Sequence, residues 1–176
     1  LKGPIVQSVE ASGTPDTPGT VLTVALAREA GFLVLQDDES VRLLVGTFDI
    51  SDMTVTLDAG HGGYDSGAVG VNGTREKDVN LDVIRRAGKL LEQAGATVIY
   101  TRGDDTFIPL NNRPDLANRR RSDLFISTHC NSMPRPNTAS GTQTYYCTGQ
   151  SKSLAAAVHA ELVKGLGLKD GGVRSA

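Results

Sequence analysis

The sequence predicts an α/β fold: a mostly parallel twisted sheet with helices on both faces, preceded by a short β-rich N-terminal piece. Three observations carry that expectation. From Met53 onward, short β-branched or apolar runs alternate with segments of helical periodicity. Before Met53, apolar and polar side chains alternate with a period of two. Two of the predicted strands run directly into loops that carry histidine, the first of them rich in glycine.

In chain order, the mixture of Ser, Gly, Thr, Pro and Asp over Ala11 to Thr20 reads as a loop. Leu22, Val24 and Leu26 alternate with Thr23 and Ala25, and Val41, Leu43 and Val45 with Arg42 and Leu44. Phe32 to Leu35 lies between them, set off by Gly31 and Asp37-Asp38, so three short antiparallel strands are expected. Val55 to Leu57 is the next strand. Val79, Val83, Ile84, Ala87, Leu90, Leu91 and Ala94 then recur at helical spacing, with Gly95 where a C-terminal cap prefers glycine. Thr97 to Tyr100 and Leu124 to Ser127 read as strands flanking a helix over Asn112 to Arg121, whose start Pro114 confines to about that residue. Gly141 to Cys147 is a further strand. The last helix carries Leu154, Val158, Leu162 and Leu166 on one stripe and is expected to be capped by Ser151 or Ser153. The organisation read from this is a β-rich segment over 1–52 and an α/β domain over 53–176.

Composition excludes several classes. The 176 residues hold 18 Lys and Arg against 20 Asp and Glu, a net charge of -2. That balance argues against a nucleic-acid-coating surface, and the Arg119-Arg120-Arg121 run reads as a solvated face. The longest apolar candidate for a membrane span, Val21 to Leu35, is interrupted by Arg28 and Glu29. No signal peptide is visible, and the start at Leu1-Lys2-Gly3-Pro4 reads as that of a mature or trimmed chain. Cys130 and Cys147 are read as free thiols, with a single bridge between them as the alternative.

Ligands of open parallel sheets bind outside the carboxyl ends of the strands, which gives weight to the polar residues there. Of three histidines, His61 follows one predicted strand in Asp58-Ala59-Gly60-His61-Gly62-Gly63, and His129 follows another in Ser127-Thr128-His129-Cys130-Asn131. Glu76 stands at the threshold of the long helix. Two imidazoles and a carboxylate suit Zn²⁺ and leave a fourth tetrahedral position open, and a metal so held activates water for amide hydrolysis. The competing reading is two strand-end histidines and a first-turn helix carboxylate. The separations of 15 and 53 residues match no autonomous zinc-finger pattern, so residue types alone leave both readings open. A phosphate-binding loop is disfavoured because GxxxxGK[ST] is absent. His159 lies inside the last helix and is assigned to its surface or core edge.

Val55-Thr56-Leu57-Asp58-Ala59-Gly60-His61-Gly62-Gly63-Tyr64-Asp65-Ser66-Gly67-Ala68 resembles the opening motif of the zinc-dependent N-acetylmuramoyl-L-alanine amidases of the amidase-3 family. Asn72-Gly73 with Glu76-Lys77-Asp78-Val79-Asn80-Leu81 resembles the second metal-ligand segment. Thr101-Arg102, Asp105, Leu110, Arg113 and Ala117-Asn118 are similar to the middle pattern, and Ser127 to Ser132 to the third segment. The resemblance implies that His61, Glu76 and His129 bind Zn²⁺, and that the chain acts on the amide joining N-acetylmuramic acid to the L-Ala of the peptidoglycan stem peptide. It implies a periplasmic or extracellular setting in the cell envelope. Arg102 and Arg113 match family positions and are expected to orient loops through carboxylates. Asp58 is a candidate to fix an imidazole tautomer, with loop capping as its alternative. Residues 1–52 are similar in position and pattern to the end of the AMIN-type β-sandwich that precedes some amidases of this family. Two rivals remain: a zinc peptidase or carboxypeptidase, and a non-catalytic peptidoglycan-binding module.

Two departures from the family pattern matter. Cys130 follows His129 where the family has a small residue; its side chain is expected to point away from the site because neighbouring strand residues face opposite sides, with a fourth zinc ligand as the alternative. The family's general-base glutamate is expected beyond Ala176, together with a further strand and a closing helix; Glu161 sits in a helix that matches no such motif. The resemblance therefore implies that the 176-residue chain binds zinc but hydrolyses poorly, since a missing general base costs about 10²–10⁴-fold. Muropeptide cleavage assays check this, and turnover like that of an intact amidase would overturn it.

Overall fold

The computed structural model describes residues 6–13, 20–27, 31–36, 41–46, 49–133 and 140–176. The Leu1-Lys2-Gly3-Pro4 start, residues 14–19 of the expected loop and the Asp37-Asp38 turn lie outside the described residues. Two antiparallel hairpins come first: β1 (Val6–Gly13) with β2 (Thr20–Leu26), and β3 (Gly31–Gln36) with β4 (Val41–Gly46). The expected antiparallel strands are therefore present, but β1 is an addition. Ala11, Ser12 and Gly13, read as loop, instead pair with Leu22, Val21 and Thr20, because cross-strand hydrogen bonds override the turn-forming tendency of these small residues. Leu22, Val41 and Leu43 remain exposed, so alternation along these strands does not translate into burial.

The α/β region opens with β5 (Thr54–Ala59), followed by α1 (Glu76–Gln93), β6 (Thr97–Tyr100), α2 (Asn112–Arg119) and β7 (Leu124–Thr128). These strands form a parallel sheet in the order β6-β5-β7, with β5 in the middle, flanked by helices. A central parallel strand is covered on both faces, and Val55, Thr56, Leu57, Asp58 and Ala59 are all buried. Thr56 tolerates burial because its hydroxyl shares a 2.7 Å hydrogen bond with Ser122 Oγ. The core is Val55, Leu57, Ala59 and Ile84, with Leu81, Ala87, Leu91, Val98, Leu124 and Ile126 packed around it.

One face of α1 determines how that helix lies. Glu76, Asn80, Ile84 and Gly88 are buried at four-residue intervals, a single stripe along the helix. Gly88 is the point of closest approach, since a Cβ there would run into the Tyr100 ring. Ile84 fills the hydrophobic middle, while Asn80 and Glu76 continue the same stripe to the sheet's carboxyl edge. The helix ends as expected: Gly95 has φ +96° just after the Ala94 cap.

In α2, Pro114 falls within the first turn, where its missing N–H costs nothing, so the helix begins at Asn112, the first residue of the expected span, and ends at Arg119, two residues short of it. The chain then forms β8 (Thr142–Tyr146), α3 (Lys152–Leu166) and β9 (Asp170–Ser175), in which β8 and β9 pair in parallel. One expectation is corrected here and one strand is added. Ser151 occupies the cap position of α3, but its side chain makes no capping bond and meets Thr148 Oγ1 at 2.9 Å instead. Strand β9 was missed, because Gly171 and Gly172 disguise a segment that long-range pairing with β8 makes extended. Among the described residues, β8 pairs with β9 and not with β7.

Leu57→Ala is expected to cost about 2–5 kcal/mol by emptying the middle of the sheet, read as a lower chemical-denaturation midpoint with an unchanged slope.

Candidate metal centre

Parallel pairing of β5 with β7 aligns Ala59 with Thr128, so both strands release their loops at the same edge. Gly60 N–H donates to the Thr128 carbonyl at 3.1 Å, which adds one more rung beyond the strands. His61 and His129 follow immediately. Their rings meet edge to face, with centroids 4.9 Å apart. Glu76 arrives between them from the first turn of α1.

The three side chains converge on a small triangle. His61 Nε2 lies 3.2 Å from Glu76 Oε1, His129 Nδ1 lies 3.0 Å from the same oxygen, and the two ring nitrogens are 3.2 Å apart. A tetrahedral cation with bonds near 2.0–2.1 Å holds neighbouring ligand atoms about 3.3 Å apart, so this donor set fits a single such ion. The chemistry agrees, since three electron-pair donors pressed together favour a cation between them. Glu76 is buried and its charge is prepared for. Burial by itself pushes its carboxyl upward, but N–H groups of Ala68 (to Oε2, 2.9 Å) and Cys130 (to Oε1, 2.7 Å), with His61 and His129, outweigh burial and hold it below the usual glutamate range. Asn80 Nδ2 donates to the Gly60 carbonyl at 3.3 Å, bracing the loop against α1.

Glycines make the convergence possible. A Cβ on Gly60 would overlap the His129 ring, and one on Gly67, which has φ +63°, would come within 2.6 Å of His61 Cδ2 and 2.8 Å of Glu76 Cβ. His61 itself has φ +62°, a left-handed conformation uncommon for a residue with a side chain. Its loop is closed by reciprocal backbone bonds between Gly62 and Asp65 at 2.9 and 3.0 Å.

Asp58 does not touch an imidazole, which corrects the expectation that it fixes a tautomer. Its buried carboxylate accepts from Thr101 Oγ1 at 2.6 Å, Arg113 Nη1 at 2.9 Å and Ser127 Oγ at 2.6 Å. It points into the domain because side chains alternate along β5, and Arg113 is drawn in after it. Arg113 also donates to the carbonyls of Ala59, His61 and Ile108. Arg102 orients the same loop by a different means from that expected: among the described residues it donates to no carboxylate, but to the carbonyls of Ala59, Gly60, Lys77 and Asp104. The Cys130 thiol donates to Asn80 Oδ1 at 3.7 Å, and burial together with the nearby Glu76 charge raises its pKa. Cys130 and Cys147 are both free. His159 is buried between Thr144 Oγ1 at 3.1 Å and Asp170 Oδ1 at 2.8 Å, pinning α3 to β8 and β9.

Sequence reasoning overlooked Asp65, Lys77 and Asn80. Lys77 is buried and donates to the Gly63 carbonyl at 2.7 Å and to Asp105 at 2.6 Å, tying the histidine loop to the loop after β6. Four-residue spacing from Glu76 was the available signal for Asn80, and from His61 the signal for Asp65.

Residues 55–176 match the family model Amidase_3, N-acetylmuramoyl-L-alanine amidase. Over 129 residues the chain is 43% identical to the uncharacterized protein YqiI of Bacillus subtilis, covering 71% of this chain and 61% of that one. It is 40% identical over 127 residues to the N-acetylmuramoyl-L-alanine amidase LytC of the same organism, covering 70% of this chain and 25% of LytC. The fold is similar to that of the N-acetylmuramoyl-L-alanine amidase AmiC2 of Nostoc punctiforme, with a TM-score of 0.67 and 36% identity, covering 70% of this chain and 69% of that one. The chain belongs to the N-acetylmuramoyl-L-alanine amidase family Amidase_3. It spans less than two thirds of the length of the curated relatives YqiI and LytC.

Arg113→Met is expected to destabilise the domain by about 3–5 kcal/mol, because it strands the buried Asp58 charge. Chemical denaturation of the metal-free protein reads this out.

Proposed function

We propose that this chain carries the zinc-binding part of the catalytic machinery of an enzyme that hydrolyses the amide between N-acetylmuramic acid and the L-Ala of the peptidoglycan stem peptide. The observation that carries this reading is the triangle of His61 Nε2, Glu76 Oε1 and His129 Nδ1, with edges of 3.0–3.2 Å, inside the segment that matches the amidase family. His61, Glu76 and His129 hold the ion. Two imidazoles and one carboxylate are a donor set suited to Zn²⁺ with one position left for water or substrate. When bound, such an ion supplies Lewis acidity, making water a competent nucleophile near neutral pH and polarising a carbonyl.

The protein's own groups account for positioning. Glu76 stays ionised because two backbone N–H groups face its oxygens. Arg102 and Arg113 secure the carbonyls of Ala59, Gly60 and His61, so the loop that bears the first imidazole keeps its shape although His61 belongs to no helix or strand. His129 is the most exposed of the three side chains, so a stem peptide approaches from its side. Residues 53–176 form the catalytic unit in this reading and residues 1–52 an appended β-rich piece of AMIN-like type. The substrate, a muramyl peptide, places the protein in the cell envelope. No helix among the described residues is long and apolar enough to cross a membrane.

Elemental analysis of the purified chain is expected to find one zinc per molecule, lost in His61→Ala and in His129→Ala. Prolonged incubation with muropeptides is expected to expose a muramyl carboxylate and a new L-Ala amino terminus. Release of a C-terminal amino acid would identify a carboxypeptidase instead, and binding of muropeptide without cleavage a wall-binding module.

A further inference from the structure

We infer that Asp65 is a positioning residue for the metal centre: it holds the proton of His61 on Nδ1 and thereby keeps the Nε2 lone pair aimed at the cation. The inference rests on the metal-centre reading above and assigns a role to a residue outside the ligand triangle. Asp65 Oδ2 lies 2.8 Å from His61 Nδ1. An ionised carboxylate only accepts, and Nε2 also faces one, Glu76 Oε1 at 3.2 Å. That oxygen already accepts from Cys130 N–H at 2.7 Å, so in a neutral ring the hydrogen goes to the shorter bond with Asp65 and the other nitrogen is bare. That other nitrogen, Nε2, is the atom 3.2 Å from both Glu76 Oε1 and His129 Nδ1.

Asp65 is itself held in place. Its backbone exchanges two hydrogen bonds with Gly62, and its second oxygen, Oδ1, accepts from Gly67 N–H at 3.1 Å. Both carboxylate oxygens are thus committed, one to the loop and one to the imidazole. The ring needs such a brace because His61 sits at φ +62° in a loop, outside any strand or helix of its own. Asp58, the other carboxylate on this stretch of chain, is occupied by Thr101, Arg113 and Ser127 and cannot serve. Outer partners of this kind fix ring orientation and raise ligand basicity, and their loss typically weakens metal affinity about 10–100-fold.

Asp65→Asn separates this role from loop bracing. The amide oxygen still accepts from Gly67, while its NH₂ faces His61 Nδ1 and demands the opposite tautomer, placing a hydrogen on Nε2. Zinc affinity, measured by competition with a chromophoric chelator, is expected to fall about 10–100-fold. In the metal-free protein, above the imidazole titration range, the ¹⁵N spectrum of His61 is expected to switch from the Nδ1–H to the Nε2–H pattern. Zinc binding as tight as that of the unaltered chain, or an unchanged tautomer, would overturn the inference. If the substituted chain does not fold, the unaltered chain decides: an Nε2–H tautomer at His61 overturns the inference, and Nδ1–H supports it. Failure of the unaltered chain to take up zinc would instead refute the metal-centre reading, and the tautomer of His61 would still decide the role of Asp65.

Discussion

The parallel register of β5 against β7 is the constraint on which the rest of this molecule depends. It aligns Ala59 with Thr128, so two loops separated by most of the domain's length leave the sheet side by side. A register one residue different would reverse which side chains face the core and would move one imidazole away from the other. The constraint is supported by burial: β5 is covered on both faces, and Val55, Leu57 and Ala59 form the core together with Ile84.

Helix α1 adds the third member by the same logic. Its stripe of Gly88, Ile84, Asn80 and Glu76 changes character along its length, from close backbone approach, through an apolar contact, to an amide and then a carboxylate. The helix is positioned by its hydrophobic middle and delivers its charged end to the sheet edge. Glu76 is therefore placed by packing and is kept ionised by the N–H groups of Ala68 and Cys130.

Beneath the triangle lies a layer of polar groups whose function is to give shape to irregular backbone. Arg102 and Arg113 satisfy the carbonyls of a loop that no regular ladder reaches, and Asp58 neutralises Arg113 from inside the sheet. Buried arginines are costly unless every N–H finds an acceptor, and here the loop carbonyls are the acceptors. The left-handed His61, the reciprocal Gly62–Asp65 bonds and the room left at Gly60 and Gly67 belong to the same arrangement.

Much of this was legible before any coordinates. The periodicities of β5, α1, β6 and β7 identified those elements, and the strand-end positions of His61 and His129 pointed to a shared rim. The Val55–Ala68 motif, with the segments around Glu76, Arg102 to Asn118 and His129, carried the family resemblance. Legibility failed where a residue's partner is distant in sequence. Ala11–Gly13 and β9 are extended only because another strand pairs with them. Asp58 and Asp65 are both acidic residues flanking the same glycine loop, and residue type gave no means of telling which one meets the imidazole. The tertiary structure decided in favour of Asp65, because strand alternation turns Asp58 inward to Arg113 whereas the tight turn at Gly62 folds Asp65 back onto His61. The amino-acid sequence by itself determined which atoms are able to bind a cation and which segments carry a helical or strand periodicity of their own. The fold decided which of those atoms share a point in space, because that depends on strand register and loop geometry, properties of the packed chain and of no single segment.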